Sequence, residues 1–374
     1  MTATQLRPGS VRRVLAVLIL ALLFRPAAQA IVVIGSGDPT HNTTAPTGGL
    51  AGSGWQWQGV WAGLAGTAIA PDFLITAAHV GGGVGGGFSY RDKVYVAVAS
   101  YLAPDADLRL WRVAGTLPDF APRYTGTSEL NKGAVVFGFG GPRGDIVTAA
   151  AGAGKKLKGW TWSNRDGSLR WGTNTVAAIF AANGADTTTR GGSVGGDLLA
   201  CTFDSAAGNE EATVTDGDSG GGVFLLDGGK WKLAGIIRAV EGKFRLTATD
   251  GDFSAALFDK GGYYEFNGTA WTLNPTRIID TPTAFYATRT AGSNAWINDV
   301  MAGSVAAESS LTVESSDAPE GPFAADTEVQ LDVPAARFVA PLSRNARYYR
   351  LVPAGLNFTG AAVENGNLIL KLSN

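Results

Sequence analysis

Short apolar segments recur along this chain between glycine-bearing turns, and that spacing constrains the fold more than any other feature. They fall at residues 66–69, 73–76, 94–99, 108–113, 134–139, 169–171, 175–181, 222–226, 232–240 and 253–257. Many short strands with no long 3.6-residue period describe an all-β sandwich or barrel rather than alternating strand–helix units. Composition agrees, since glycine supplies 52 of 374 residues, about twice the usual share of roughly 7%. Residues 31–50 read as an extended arm with at most one short strand at 31–34, and 81–87 as a glycine-dense surface loop. That loop lacks the Gly-Lys-Ser/Thr ending a phosphate loop needs.

The first thirty residues read as a targeting signal. Arg7, Arg12 and Arg13 precede the apolar run 14–24, and Ala28-Gln29-Ala30 supplies a small-x-small cleavage pattern. The apolar run is shorter than the ~20 residues that span a bilayer. Cleavage after Ala30 and a secreted or periplasmic location, free of the membrane, are therefore expected. Lys and Arg together number 30 against 32 Asp and Glu, for a formal charge of −2. Such a balance lacks the basic excess that nucleic acid or anionic lipid demands. Cys201 is the single cysteine and lies in an apolar run, which excludes an internal disulfide and a thiolate zinc site and points to a buried core residue. His41 and His79 are too few for a histidine-rich metal centre, so neither metal nor cofactor is expected.

Residues 295–301 place Trp296, Ile297, Val300 and Met301 on one helical face. This reads as a helix closing the first domain, followed by a small, polar, linker-like stretch at 302–310. Further β segments at 311–314, 328–331, 348–352 and 367–372 make a small tail domain over 304–374. Its aromatic residues Phe338, Tyr348 and Tyr349 suit either a core or a ligand platform.

Three segments carry chemistry: Thr76-Ala77-Ala78-His79, Asp107-Leu108-Arg109-Leu110 and Gly217-Asp218-Ser219-Gly220-Gly221. A serine hydroxyl is a poor nucleophile until an imidazole takes its proton and a carboxylate holds that imidazole in the right tautomer. His79, Asp107 and Ser219 supply one of each, and the glycines allow the Gly217 and Ser219 amides to aim at a developing oxyanion. Alone, each segment has an ordinary explanation as a strand end or turn. Asp105 is a second candidate carboxylate, because in an extended strand it points to the same side as Asp107.

Together the three segments resemble the trypsin/chymotrypsin-like serine protease family, which has the chain order His, Asp, Ser and the serine within Gly-Asp-Ser-Gly-Gly. The strands before His79, the run 107–113, Val135-Val136-Phe137-Gly138-Phe139-Gly140, Leu233-Ala234-Gly235-Ile236-Ile237 and the helix at 295–301 extend the resemblance over about 31–303. It implies two six-stranded Greek-key antiparallel β-barrels, about 31–125 and 126–303, with the active site between them. The implied activity is hydrolysis of a protein or peptide substrate through an acyl-enzyme. The resemblance also implies that a new N-terminus at Ile31, exposed by signal removal, pairs with Asp218; otherwise 31–34 is only an edge strand.

Several positions depart from the family pattern. Thr213 stands where trypsin-type members carry the acidic residue that selects Lys or Arg, and Arg238-Ala239-Val240 replaces the Ser-Trp-Gly substrate-binding segment. Val240 narrows the pocket mouth, so small or medium uncharged side chains are the expected preference. Arg238 beside the substrate track leaves open a catalytically silent, protease-like binding module. The run Asp216–Asp227 overlaps a calcium-loop pattern, but Gly220 offers no side-chain oxygen at the fifth position and the flanks read as strands.

Overall fold

The structure is a computed structural model that describes residues 31–38, 40–149, 156–180, 197–342, 348–353 and 355–372. The expected export signal at 1–30 and the last residue of the 175–181 segment lie outside the described residues.

Two six-stranded antiparallel barrels form the body of the molecule, as expected. The first contains β1 (Gln58–Trp61), β2 (Leu64–Ala70), β3 (Phe73–Thr76), β4 (Gly87–Tyr90), β5 (Lys93–Leu102) and β6 (Arg109–Val113). The second contains β7 (Gly133–Gly138), β8 (Arg170–Phe180), β9 (Leu198–Thr202), β10 (Gly222–Asp227), β11 (Lys230–Val240) and β12 (Ala284–Arg289). Both rings close in the same cyclic order of their own strands, first–second–third–sixth–fifth–fourth. Repetition of that order shows one Greek-key plan used twice. The expected segments 169–171 and 175–181 are a single continuous strand, β8.

Local sequence explains most of these strands. β3 is buried at all four positions, so it reads as an unbroken apolar run. β4 alternates, with Phe88 and Tyr90 inside and Gly87 and Ser89 outside. The expected loop 81–87 runs into the first residue of β4, and the rest of β4 was not read as a strand; its hairpin turn explains why. Arg91 and Asp92 make the two-residue turn to β5 with φ of 47° and 62°, a left-handed pair usually announced by Asn-Gly or Gly-Gly.

The barrels meet through aromatic packing. Trp57 of barrel one stacks on Phe224 of β10 with ring centroids 5.6 Å apart, and Phe224 meets Phe137 edge-on at 5.7 Å. Pairs of this geometry contribute roughly 0.5–1.5 kcal/mol beyond area burial. α1 (Asn294–Met301) closes the interface by burying Ile297 and Val300 in the same core.

A third six-stranded sheet was not expected from the sequence. A hairpin inserted between β7 and β8 (Arg143–Thr148 and Leu157–Trp162) joins strands inserted between β11 and β12 (Lys243–Arg245, Phe253–Leu257, Tyr264–Phe266 and Trp271–Leu273). The two insertions meet where Trp160 pairs with Ala256. One cluster, Val147, Phe244, Ala255, Leu257 and Tyr263, is internal to the insertions. Another sets Trp160, Ala256 and Phe258 against Val32 and Phe203.

The tail forms one three-stranded and one four-stranded sheet. The stretch 302–310 is less free than a linker, because Ser309–Ser310 adds a strand to β5. Leu311, Val313, Phe338, Leu351 and Leu370 pack with Val98 and Ala114 of barrel one. Phe338 is therefore core, whereas Tyr348 is exposed.

Candidate active site

His79 lies in a 3₁₀ turn (Ala78–Val80) just after β3. Asp107 precedes β6 in a tight bend where the Leu108 amide donates to the Ala106 carbonyl at 2.8 Å. This bend breaks the alternation of an extended strand, so Asp105 and Asp107 do not share a side. Asp105 is exposed, whereas Asp107 is 3% exposed. Asp107 Oδ1 accepts the His79 backbone amide at 3.0 Å and Oδ2 lies 2.6 Å from His79 Nδ1. On the far side of the ring, Nε2 lies 2.9 Å from Ser219 Oγ. With Nδ1 donating to the carboxylate, Nε2 is left to accept the serine proton.

Ser219 sits in the turn that enters β10, and barrel one helps to hold it. The Ala65 amide of β2 donates to the Ser219 carbonyl at 3.4 Å, and Gln58 Oε1 of β1 accepts the Gly222 amide at 3.2 Å. Gly220 has φ +83°, and a Cβ there would lie 2.2 Å from both the Ala65 carbonyl oxygen and Thr76 Oγ1. Only glycine allows this approach between the barrels. Gly217 is also left-handed, with φ +99°. The amides of Asp218 and Gly220 are paired, to the carbonyls of Thr215 at 3.2 Å and Ile237 at 2.9 Å. Those of Gly217 and Ser219 donate no hydrogen bond among the described residues, so two N–H groups remain available beside the serine.

Burial disfavours the charged form of Asp107, but hydrogen bonds and charge from His79, together with the charge of Arg238, outweigh it and hold the carboxyl below its ordinary range. Arg238 was read as lining the substrate track. Its side chain is only 5% exposed, and Nε lies 3.6 Å from Asp107 Oδ2. The sequence carried no signal for this pairing, which joins residues of different barrels.

Asp218 is fully buried, and its carboxylate accepts the amides of Gly140 at 2.6 Å and Thr215 at 2.7 Å. Burial pushes its carboxyl up to about 6 against those bonds. Ile31 is buried too, and the adjoining Val32 pairs with Thr213. No hydrogen bond joins Ile31 to Asp218 among the described residues. The Thr213 hydroxyl is buried and has no partner among the described residues. Ala239 and Val240 continue β11 and are partly exposed. Arg165, not singled out from the sequence, packs where a Gly217 Cβ would stand and donates to the Gly63 carbonyl.

Cys201 takes no part in this site. It is a fully buried free thiol, and burial raises its pKa far above the ordinary range.

No family model and no curated protein matches the chain. Among solved structures the chain is similar to neuropsin, a serine protease expressed in the limbic system of mouse brain. Identity is 14%, the match covers 67% of this chain and 96% of that one, and the TM-score is 0.40.

Proposed function

We propose that this chain is an exported serine endopeptidase whose nucleophile is Ser219. The observation that carries the reading is the hydrogen-bonded series Asp107–His79–Ser219 beside the amides of Gly217 and Ser219, which donate no hydrogen bond among the described residues. In this reading His79 takes the Ser219 proton as the oxygen attacks the scissile carbonyl, then returns it to the leaving amine. Asp107 orients the ring, and the two amides receive the oxyanion, each contributing roughly 3–4 kcal/mol. Water repeats the sequence to release the acyl group. The export proposal rests on the basic start, short apolar run and Ala28-Gln29-Ala30 of the first thirty residues.

The test is covalent labelling with a fluorophosphonate probe followed by mass mapping. Labelling at Ser219 that is lost in His79→Ala supports the reading. A folded sample with Ile31 as its N-terminus that takes no label supports the binding module instead.

By its position in the sequence, Thr213 stands in place of the acidic residue with which trypsin-type members select Lys or Arg, and Val240 stands in place of a glycine. A peptide library is expected to be cleaved mainly after small or medium uncharged residues; cleavage mainly after Lys or Arg overturns this.

The pairing of Ile31 with Asp218 is proposed as the activating step. The support is a buried carboxylate held by neutral donors, with no ion pair among the described residues. An ammonium at Ile31 would supply the counter-charge such a group requires. A secreted form carrying one extra residue before Ile31 is therefore expected to lose activity, and full activity in that form overturns the proposal.

A further inference from the structure

Arg238 occupies a β-bulge in β11. Ile237 pairs with Ala287 and Ala239 with Tyr286, so the register slips at Arg238. Bulges re-aim side chains, and this one coincides with the side chain that reaches across to Asp107 of barrel one. The guanidinium and the imidazole converge on one oxygen: Arg238 Nε lies 3.6 Å and His79 Nδ1 2.6 Å from Asp107 Oδ2. The two nitrogens are thus no more than about 6 Å apart. The charged groups that act on Asp107 are His79, from the 3₁₀ turn, and Arg238, from β11. On the other side of the ring, Nε2 meets the neutral Ser219 hydroxyl.

We propose that Arg238 is a positioning residue of the triad, which fixes the Asp107 carboxylate from behind and takes up part of the negative charge that would otherwise favour a protonated His79. The inference rests on the proposed protease reading and deepens it. An arginine side chain stays charged at every accessible pH, so it acts as a constant field. That field opposes protonation of His79 while the hydrogen bond to Asp107 keeps the ring in place. The His79 side chain is 41% exposed, so solvent screens part of this field.

The test compares the unaltered protein with Arg238→Gln, Arg238→Met and Arg238→Lys. The acid limb of kcat/KM is expected to move up by on the order of one pH unit in the Gln and Met variants and to stay near its original position in Arg238→Lys. Met preserves length and volume without charge, which covers the case in which Gln does not fold. A second readout needs no turnover. The chain contains only two histidines, so the pH at which the His79 ring changes its NMR signals can be followed, with His41→Gln assigning the other set. The same upward movement is expected there. An unmoved midpoint in Gln or Met, or a shift in Lys as large as in Gln, overturns the inference. Absence of labelling and turnover in the unaltered protein overturns the protease reading instead, and the NMR titration still decides the role of Arg238.

Discussion

On the proposed protease reading, Ser219→Ala is expected to lower kcat by about 10⁶-fold and His79→Ala to do the same, because nucleophile and base of such a triad act as a unit. The double variant is no worse than either single one, since removing one member already disables the other. Alanine at 219 deletes a single hydroxyl from a turn held by its own backbone, through Ala65, Gly220 and Gly221. The fold is therefore expected to survive. The measurement is hydrolysis of a chromogenic peptide alongside a thermal unfolding curve. Residual activity within tenfold of the unaltered protein, in a variant with an unchanged melting curve, removes Ser219 from the mechanism.

On the same reading, Asp107→Asn is expected to lower kcat by about 10⁴-fold and Asp105→Asn to leave it nearly unchanged. Asparagine keeps the shape of the side chain but can turn its NH₂ toward the ring, which favours the tautomer that presents a proton, not a lone pair, to Ser219. Asp107 is buried and touches both the ring and the backbone amide of His79. Asp105 is exposed. The two variants are compared at the pH of maximal activity. A large loss in Asp105→Asn, or a loss below tenfold in Asp107→Asn, transfers the orienting role away from Asp107.

Much of the barrel architecture was legible from local pattern. The segments at Phe73–Thr76 and Phe253–Leu257 have the expected bounds, because both are apolar runs bounded by turn residues. The helix was legible because Ile297 and Val300 recur at helical spacing beside polar neighbours. β4 was missed because its turn uses Arg91 and Asp92 where glycine is the usual signal. The third sheet was missed for a different reason. Its strands Lys243–Arg245, Tyr264–Phe266 and Trp271–Leu273 are too short to show a period, and become strands by pairing with one another and with Phe253–Leu257.

The candidate site divides along the same line. His79, Asp107 and Ser219 could be named from sequence because nucleophilic catalysis at serine needs a small set of residue types, and the glycines around Ser219 mark a backbone that must turn sharply. The run that follows Asp107 favours it over Asp105 from the sequence, and the bend at Ala106–Leu108, which a rule of strand alternation cannot see, is what separates the two side chains. The place of Arg238 required both the bulge in β11 and the approach of barrel one. Residue type and short-range spacing determined which side chains were candidates and that the chain would be built of short strands. Which carboxylate meets His79 was decided by the bend at Ala106–Leu108 within barrel one, and which charge stands behind it by the packing of two barrels that brings Arg238 to Asp107, more than a hundred positions away in sequence, where no local periodicity reaches.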